Sequence, residues 1–175
     1  MKTKSNSLFK EIVGIEYFNF EEDFVEKNIR CIPMIVRFKM DKAGIKLKLA
    51  EWSKFNAGER IELAVKPCRH ENEVKRYHEY LSWLVERYTD RPATILAIDQ
   101  SPGWLKGTSL PAELEEKLNE YRWFIAPTQW NGLTDLQRFA LLKLCRPGHE
   151  SKNFPKAMKE FGLLPAKQYS FKVSI

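Results

Sequence analysis

A tryptophan-led pattern occurs twice in this chain, 78 residues apart, and each copy marks the start of a helix. Trp52 is followed three residues later by Phe55 and eight later by Arg60; Trp130 is followed likewise by Leu133 and Arg138. Asn56 with Glu59, and Thr134 with Gln137, have the spacing of a capping box. In such a box the cap side chain accepts from the N3 amide and the N3 side chain reaches back to the cap amide. Two orphan donors are satisfied at each helix start, so each copy predicts a new helix directly after a Trp-bearing turn. The echo continues downstream. Lys66, Cys68, Arg69 and His70-Glu71 match Lys143, Cys145, Arg146 and His149-Glu150. Duplicated units of about 45–89 and 123–164 are one reading, and a chance echo is the other.

The rest of the chain predicts an all-α, mainly helical fold: a compact multi-helix bundle in which two pseudo-symmetric halves are one organisation. Glu73–Tyr88 carries Val74, Tyr77, Leu81, Leu84 and Val85 at helical spacing. Arg60–Lys66 stops at Pro67, Pro111–Tyr121 starts with Pro at N1, and Pro155–Phe161 ends at Gly162. Leu136–Leu144 is apolar on nearly every face and should be central. Residues 32–49 hold two competing signals. Val36, Phe38 and Met40 alternate with Arg37, Lys39 and Asp41, as a small β-hairpin at 34–49 would. Pro33 and Gly44, however, bracket a three-turn helix, and Ile35 breaks the alternation, so helix is the preferred reading. Residues 1–16 form a loose N-terminal arm, 17–164 a single helical domain with a long connection at 90–110, and 165–175 a tail. Within the connection, Trp104 is the expected anchor to the core.

Composition narrows the function classes. Twenty-nine basic against 23 acidic residues give a net charge of +6, a mixed surface rather than a polycation, so nucleic acid is a weak candidate. The two helices that follow the Trp turns also offer too few exposed polar residues for a DNA reader. Three widely spaced Cys make no disulfide framework and suggest a reduced, cytoplasmic setting. No apolar run approaches the length that spans a bilayer, and the polar N-terminus lacks a signal sequence.

Four groups could carry chemistry. Cys68, His70, Cys145 and His149 would make two Cys-His pairs for a tetrahedral metal if the halves faced one another. Irregular spacing favours the alternative, in which both Cys are small buried apolar residues. Cys31 before Ile32-Pro33 is a candidate reactive thiol near a helix start, with burial beside Ile32, which would raise its pKa, as the preferred alternative. Arg37, Arg60, Arg138 and Arg146, with His149, form a candidate anion- or partner-binding set, since guanidinium forks match oxyanions. Arg138 lies in an otherwise apolar helix and must either be paired, with Glu115, Glu150 or Glu160 as candidate carboxylates, or snorkel to solvent. Glu21-Glu22-Asp23 and Glu115-Glu116 read as solvated acidic faces. Phosphate loops, nucleophile elbows and zinc-protease motifs are absent, so no catalytic residue and no resident cofactor are expected.

Two stretches carry a family resemblance. One is Arg30-Cys31-Ile32-Pro33-Met34-Ile35-Val36-Arg37-Phe38-Lys39-Met40-Asp41, running through Gly44–Trp52. The other is Leu136-Gln137-Arg138-Phe139-Ala140-Leu141-Leu142-Lys143-Leu144-Cys145-Arg146-Pro147, with His149-Glu150 and Phe161-Gly162-Leu163. Both resemble the nitrate reductase associated proteins, a bacterial family encoded largely beside nitrate-assimilation and molybdopterin genes. The resemblance covers about residues 18–164. It implies a cytoplasmic, non-catalytic accessory or assembly role in nitrate assimilation, with nitrate reductase or the molybdenum-cofactor machinery as the protein partner. It brings no catalytic residues with it. The rival from another class is a nitrate or molybdate sensor or carrier that uses the Arg set.

Overall fold

The computed structural model describes residues 8–22 and 29–164, and of these the side chains of Leu8 and His149 are left aside. The fold is mainly helical, with eight α-helices among the described residues and one small antiparallel sheet. The chain divides into two compact units, Met1–Pro102 and Gly103–Ile175. Residues 45–89 fall in the first unit and 123–164 in the second.

The first unit opens with a 3₁₀ turn, Leu8–Glu11, in which Phe9 is buried edge-on against Tyr17. Of the three early phenylalanines, Phe18 and Phe20 stack at 5.3 Å, while Phe24 lies outside the described residues. Helix α1 is Met34–Ala43, so the helical reading of this stretch holds over the hairpin. The reason is visible in its burial: Ile35, Val36, Lys39, Met40 and Ala43 recur at helical spacing and share the inner face. A period of two would have sent Ile35 and Lys39 to the side opposite Val36 and Met40. Pro33 is the N-cap rather than N1, and Gly44 closes the helix in the left-handed region at φ 68°. Strand β1, Ile45–Lys46, pairs antiparallel with β2, Thr94–Ile95, with Ile45 opposite Ile95. The β structure therefore joins two stretches far apart in sequence and is no hairpin.

Three helices complete this unit: α2 (Leu49–Trp52), α3 (Ala57–Val65) and α4 (Glu71–Thr89). Helix α4 packs along α1 and buries Tyr77, Leu81, Leu84 and Val85, the predicted stripe apart from Val74, which is half-buried. The last carbonyls of a helix lack intrahelical partners. Here other helices supply them. Lys39 Nζ donates to Ala64 O at 2.6 Å and Tyr77 Oη to Leu63 O at 3.2 Å, both in the last turn of α3. His78 Nδ1 lies 2.7 Å from Ala43 O at the end of α1.

The second unit is built around α7, Asp135–Cys145, which buries seven of its eleven residues as its apolar sequence predicts. Helices α5 (Ala112–Tyr121) and α8 (Phe154–Glu160) and the 3₁₀ turn His149–Asn153 pack on it. Pro111 is again an N-cap rather than N1, and Gly162 follows α8 at φ 70°. The Trp130 turn, expected as a simple turn, is a short helix of its own, α6 (Pro127–Gly132), just as Trp52 ends α2. Asn131 in α6 bonds both ways to Gly107, its Nδ2 to Gly107 O at 2.8 Å and its Oδ1 from Gly107 N at 3.2 Å. That pins the second part of the long connection. The tail, 165–175, lies outside the described residues.

Candidate functional site

The two Trp-led corners share one construction. In the first, Glu59 N donates to Asn56 Oδ1 and Asn56 N to Glu59 Oε2, each at 2.9 Å. In the second, Gln137 N donates to Thr134 Oγ1 at 3.2 Å and Thr134 N to Gln137 Oε1 at 2.9 Å. Both predicted capping boxes are thus present and reciprocal. The spacing from Trp to Arg that the two copies share then acquires a meaning the motif alone did not carry. Arg60 turns its guanidinium back to the carbonyl of Phe55, with Nε at 3.1 Å and Nη2 on the same oxygen. Arg138 does the same to the carbonyl of Leu133 through Nη1. In each case the acceptor lies five residues back, just outside the cap, and the side chain clamps the entry turn to the helix.

Burial makes these clamps consequential. Arg60 is 6% exposed and Arg138 1%, and Trp52 and Trp130 are fully buried. An isolated charge at such depth is too costly to keep, so its donors must be matched. Arg138 meets this demand with three acceptors: Trp104 O at 2.6 Å, Leu133 O, and Asp135 Oδ1 one turn back on its own helix. Its guanidinium also lies over the Trp130 ring, 5.9 Å from the centroid. The bond to Trp104 O means that this half-buried residue does anchor the long connection, through its backbone. The indole N–H groups of Trp52 and Trp130, buried at equivalent points, have no hydrogen-bond acceptor among the described residues.

The other sequence candidates are scattered. Arg37 is half-buried on α1. Arg146 caps the far end of α7, about 12 Å of helix from Arg138 by helical rise. Glu113 is 4.0 Å away, and both side chains are more than 40% exposed, so the pair contributes little. His70 is exposed at the N-cap of α4, where Glu73 accepts from Arg69 N at 2.7 Å and His70 N at 3.3 Å. These two amide bonds hold the Glu73 carboxyl below its usual range. His149 begins the second 3₁₀ turn, and its side chain lies outside those described.

Cys68 is buried, its Sγ 3.8 Å from Lys39 O, and burial pushes its thiol pKa up. Cys145 is half-buried and is pushed up to about 12, first by burial and then by Glu113. The thiolate is the nucleophile, so neither environment prepares a thiol for attack. Cys31 is half-buried. Among the described residues, no three His, Cys, Asp or Glu side chains gather as a metal ion would need.

Two groups with structural roles escaped the sequence reading. Glu21, read as part of a solvated acidic run, accepts from Met34 N at 2.7 Å and Phe18 N at 2.9 Å. It caps the start of α1, where a carboxylate suits the helix dipole; its neighbour Asp23 lies outside the described residues. Lys39 is 8% exposed, and burial lowers its amine to about 8. Once 34–43 is taken as helix, its position between Ile35-Val36 and Met40-Ala43 was the available signal.

Compared with curated proteins and with solved structures, the chain finds no significant match in either. The family comparison is different. The conserved nitrate reductase-associated proteins match residues 17–161, which takes in both corners, the helices between them and, apart from Gly162 and Leu163, both stretches that carried the resemblance. The chain therefore belongs to the conserved nitrate reductase-associated protein family.

Proposed function

We propose that this protein is a non-catalytic accessory or assembly factor in nitrate assimilation that binds nitrate reductase or a protein that loads its molybdenum cofactor. Membership of the conserved nitrate reductase-associated family supports the link to nitrate reductase. The single observation that favours a binding body over a reactive centre is the use of the two buried arginines. Arg60 and Arg138 direct guanidinium donors onto the backbone carbonyls of Phe55 and Leu133, which stiffens two helical corners. A nitrate or molybdate carrier would need those same donors turned toward a ligand. A cytoplasmic location goes with this reading; no helix among the described residues is long and apolar enough to cross a membrane.

The test is affinity capture from nitrate-grown cells with the full chain as bait. Nitrate reductase or a molybdenum-cofactor protein should be retained above the level of an unrelated basic bait. Recovery of neither overturns the reading. Calorimetry with nitrate and with molybdate addresses the rival, and a saturable heat with either anion would put it ahead.

A further inference from the structure

Helix α4 has a second stripe beside its buried one. Arg76, Tyr80, Trp83 and Arg87 stand at i, i+4, i+7 and i+11, which places them along one side of the helix. Trp83 is 50% exposed, and Arg76 and Arg87 are exposed. Side chains of the stripe pack against one another. The Tyr80 and Trp83 rings stack at 6.0 Å with 23° between planes. Lys66 Nζ sits 4.7 Å from the Tyr80 centroid at one end, and the Arg87 guanidinium 5.1 Å from the Trp83 centroid at the other. The result is a ledge of two rings with a cation at each end and Arg76 one turn beyond. Arg76 makes no ion pair among the described residues, whereas Lys66 is engaged by Glu62 at 3.0 Å and Arg87 loosely by Glu59 at 3.5 Å.

We propose that this stripe is a docking surface for a protein segment in which carboxylates flank an apolar or aromatic side chain. Trp, Tyr and Arg are the residues that dominate binding energy at protein interfaces, chiefly where they are held in place beforehand. Charge complementarity selects the occupant. The three cations lie at the ends of the ledge and call for separated negative charges, with an apolar group between them over the rings. Exposed Glu79 and Glu86 on the adjacent side of α4, together with Glu62, oppose a nucleic-acid strand, which carries a charge at every nucleotide. A protein segment can place its carboxylates clear of them. The inference rests on the accessory-factor reading and names the face through which it would work.

The experiment uses the full chain and a fluorescein-labelled peptide in which pairs of glutamates flank a central Phe-Leu, titrated by anisotropy at low salt. An oligothymidylate of ten nucleotides is titrated in parallel. Trp83→Ala and Arg76→Glu should each weaken peptide binding by about tenfold or more. Lys152→Glu, an exposed charge reversal in the other unit, should leave it unchanged. Circular dichroism melts confirm that the variants fold; among the described residues Arg76 makes no ion pair. Equal weakening by Lys152→Glu would reduce the effect to net charge and overturn the proposal. So would tighter binding of the oligonucleotide through the same residues, or no peptide binding by the wild type. The same variants are then used to capture purified nitrate reductase. If wild type and Trp83→Ala retain it equally, the surface is wrong and the accessory reading stands. If the wild type retains none, and capture from nitrate-grown cells recovers no molybdenum-cofactor protein either, while the peptide still depends on α4, the accessory reading fails and the surface stands.

Discussion

Replacing Arg138 by Met retains the aliphatic stem and removes every guanidinium donor, so it separates packing from hydrogen bonding. The Leu133 carbonyl is buried, and leaving it unmatched costs about 1–3 kcal/mol. The Trp104 carbonyl belongs to a half-buried residue that water can reach, so its loss is about 1 kcal/mol. Stacking over Trp130 adds roughly 1 kcal/mol. Asp135 is 58% exposed, so solvent screens its ion pair to below about 1 kcal/mol. The bonds to the two carbonyls therefore outweigh the ion pair, and the total is about 3–6 kcal/mol. With a urea m-value of about 2 kcal/mol/M, the unfolding midpoint should fall by about 1.5–3 M. Arg138→Lys should fall between, because one ammonium cannot span three acceptors set at different angles. Asp135→Asn should cost less than about 1 kcal/mol. Tryptophan emission and circular dichroism are followed together, since two compact units can unfold in separate steps. If Asp135→Asn costs as much as Arg138→Met, the ion pair and not the carbonyl clamp holds the corner, and the argument fails.

Three further outcomes follow from the same geometry. Lys39 has its amine lowered to about 8 from 10.5, chiefly by burial. Between those values the unfolded chain holds a proton that the folded chain does not, so this group's contribution is lost as pH falls through 8 and grows as pH rises toward 10.5. Cys68 and Tyr77, whose pKa values are raised by burial, act in the opposite sense. The wild-type urea midpoint minus that of Lys39→Met should therefore climb from pH 7.5 to 10.5, and a flat difference would contradict it. Gly44→Ala should destabilise the first unit by about 2 kcal/mol or more, since the residue sits at φ 68° and a Cβ would lie 2.9 Å from Leu96 O. Faster proteolysis within 92–98 is the readout, and an unchanged rate would refute it. Cys145, pushed up to about 12, should alkylate with iodoacetamide at pH 8 on the order of a hundredfold or more slower than N-acetylcysteine. A rate within about tenfold, read by peptide mass, would remove the burial argument.

The sequence was most legible where the physics is local. A capping box closes within four residues, so Asn56–Glu59 and Thr134–Gln137 could be read directly and are present. Gly44 and Gly162 mark helix ends because a left-handed residue is needed there and glycine takes that shape freely. The candidate site was less legible. Arg60 and Arg138 were singled out as groups for oxyanions, yet the acceptors they meet include carbonyls five residues back, a geometry with no compositional signature.

Taken alone, the chain determined where most helices begin and end, which faces are apolar, and that Arg138 had to be matched or to reach solvent. Folding alone decided by what. Arg138 reaches Trp104 O across 34 residues, Lys39 reaches Ala64 O across 25, and Ile45 pairs with Ile95. Backbone carbonyls are the same in every residue, so a sequence does not show which of them a distant side chain will meet. Packing brings them together, and the burial that results makes each bond necessary.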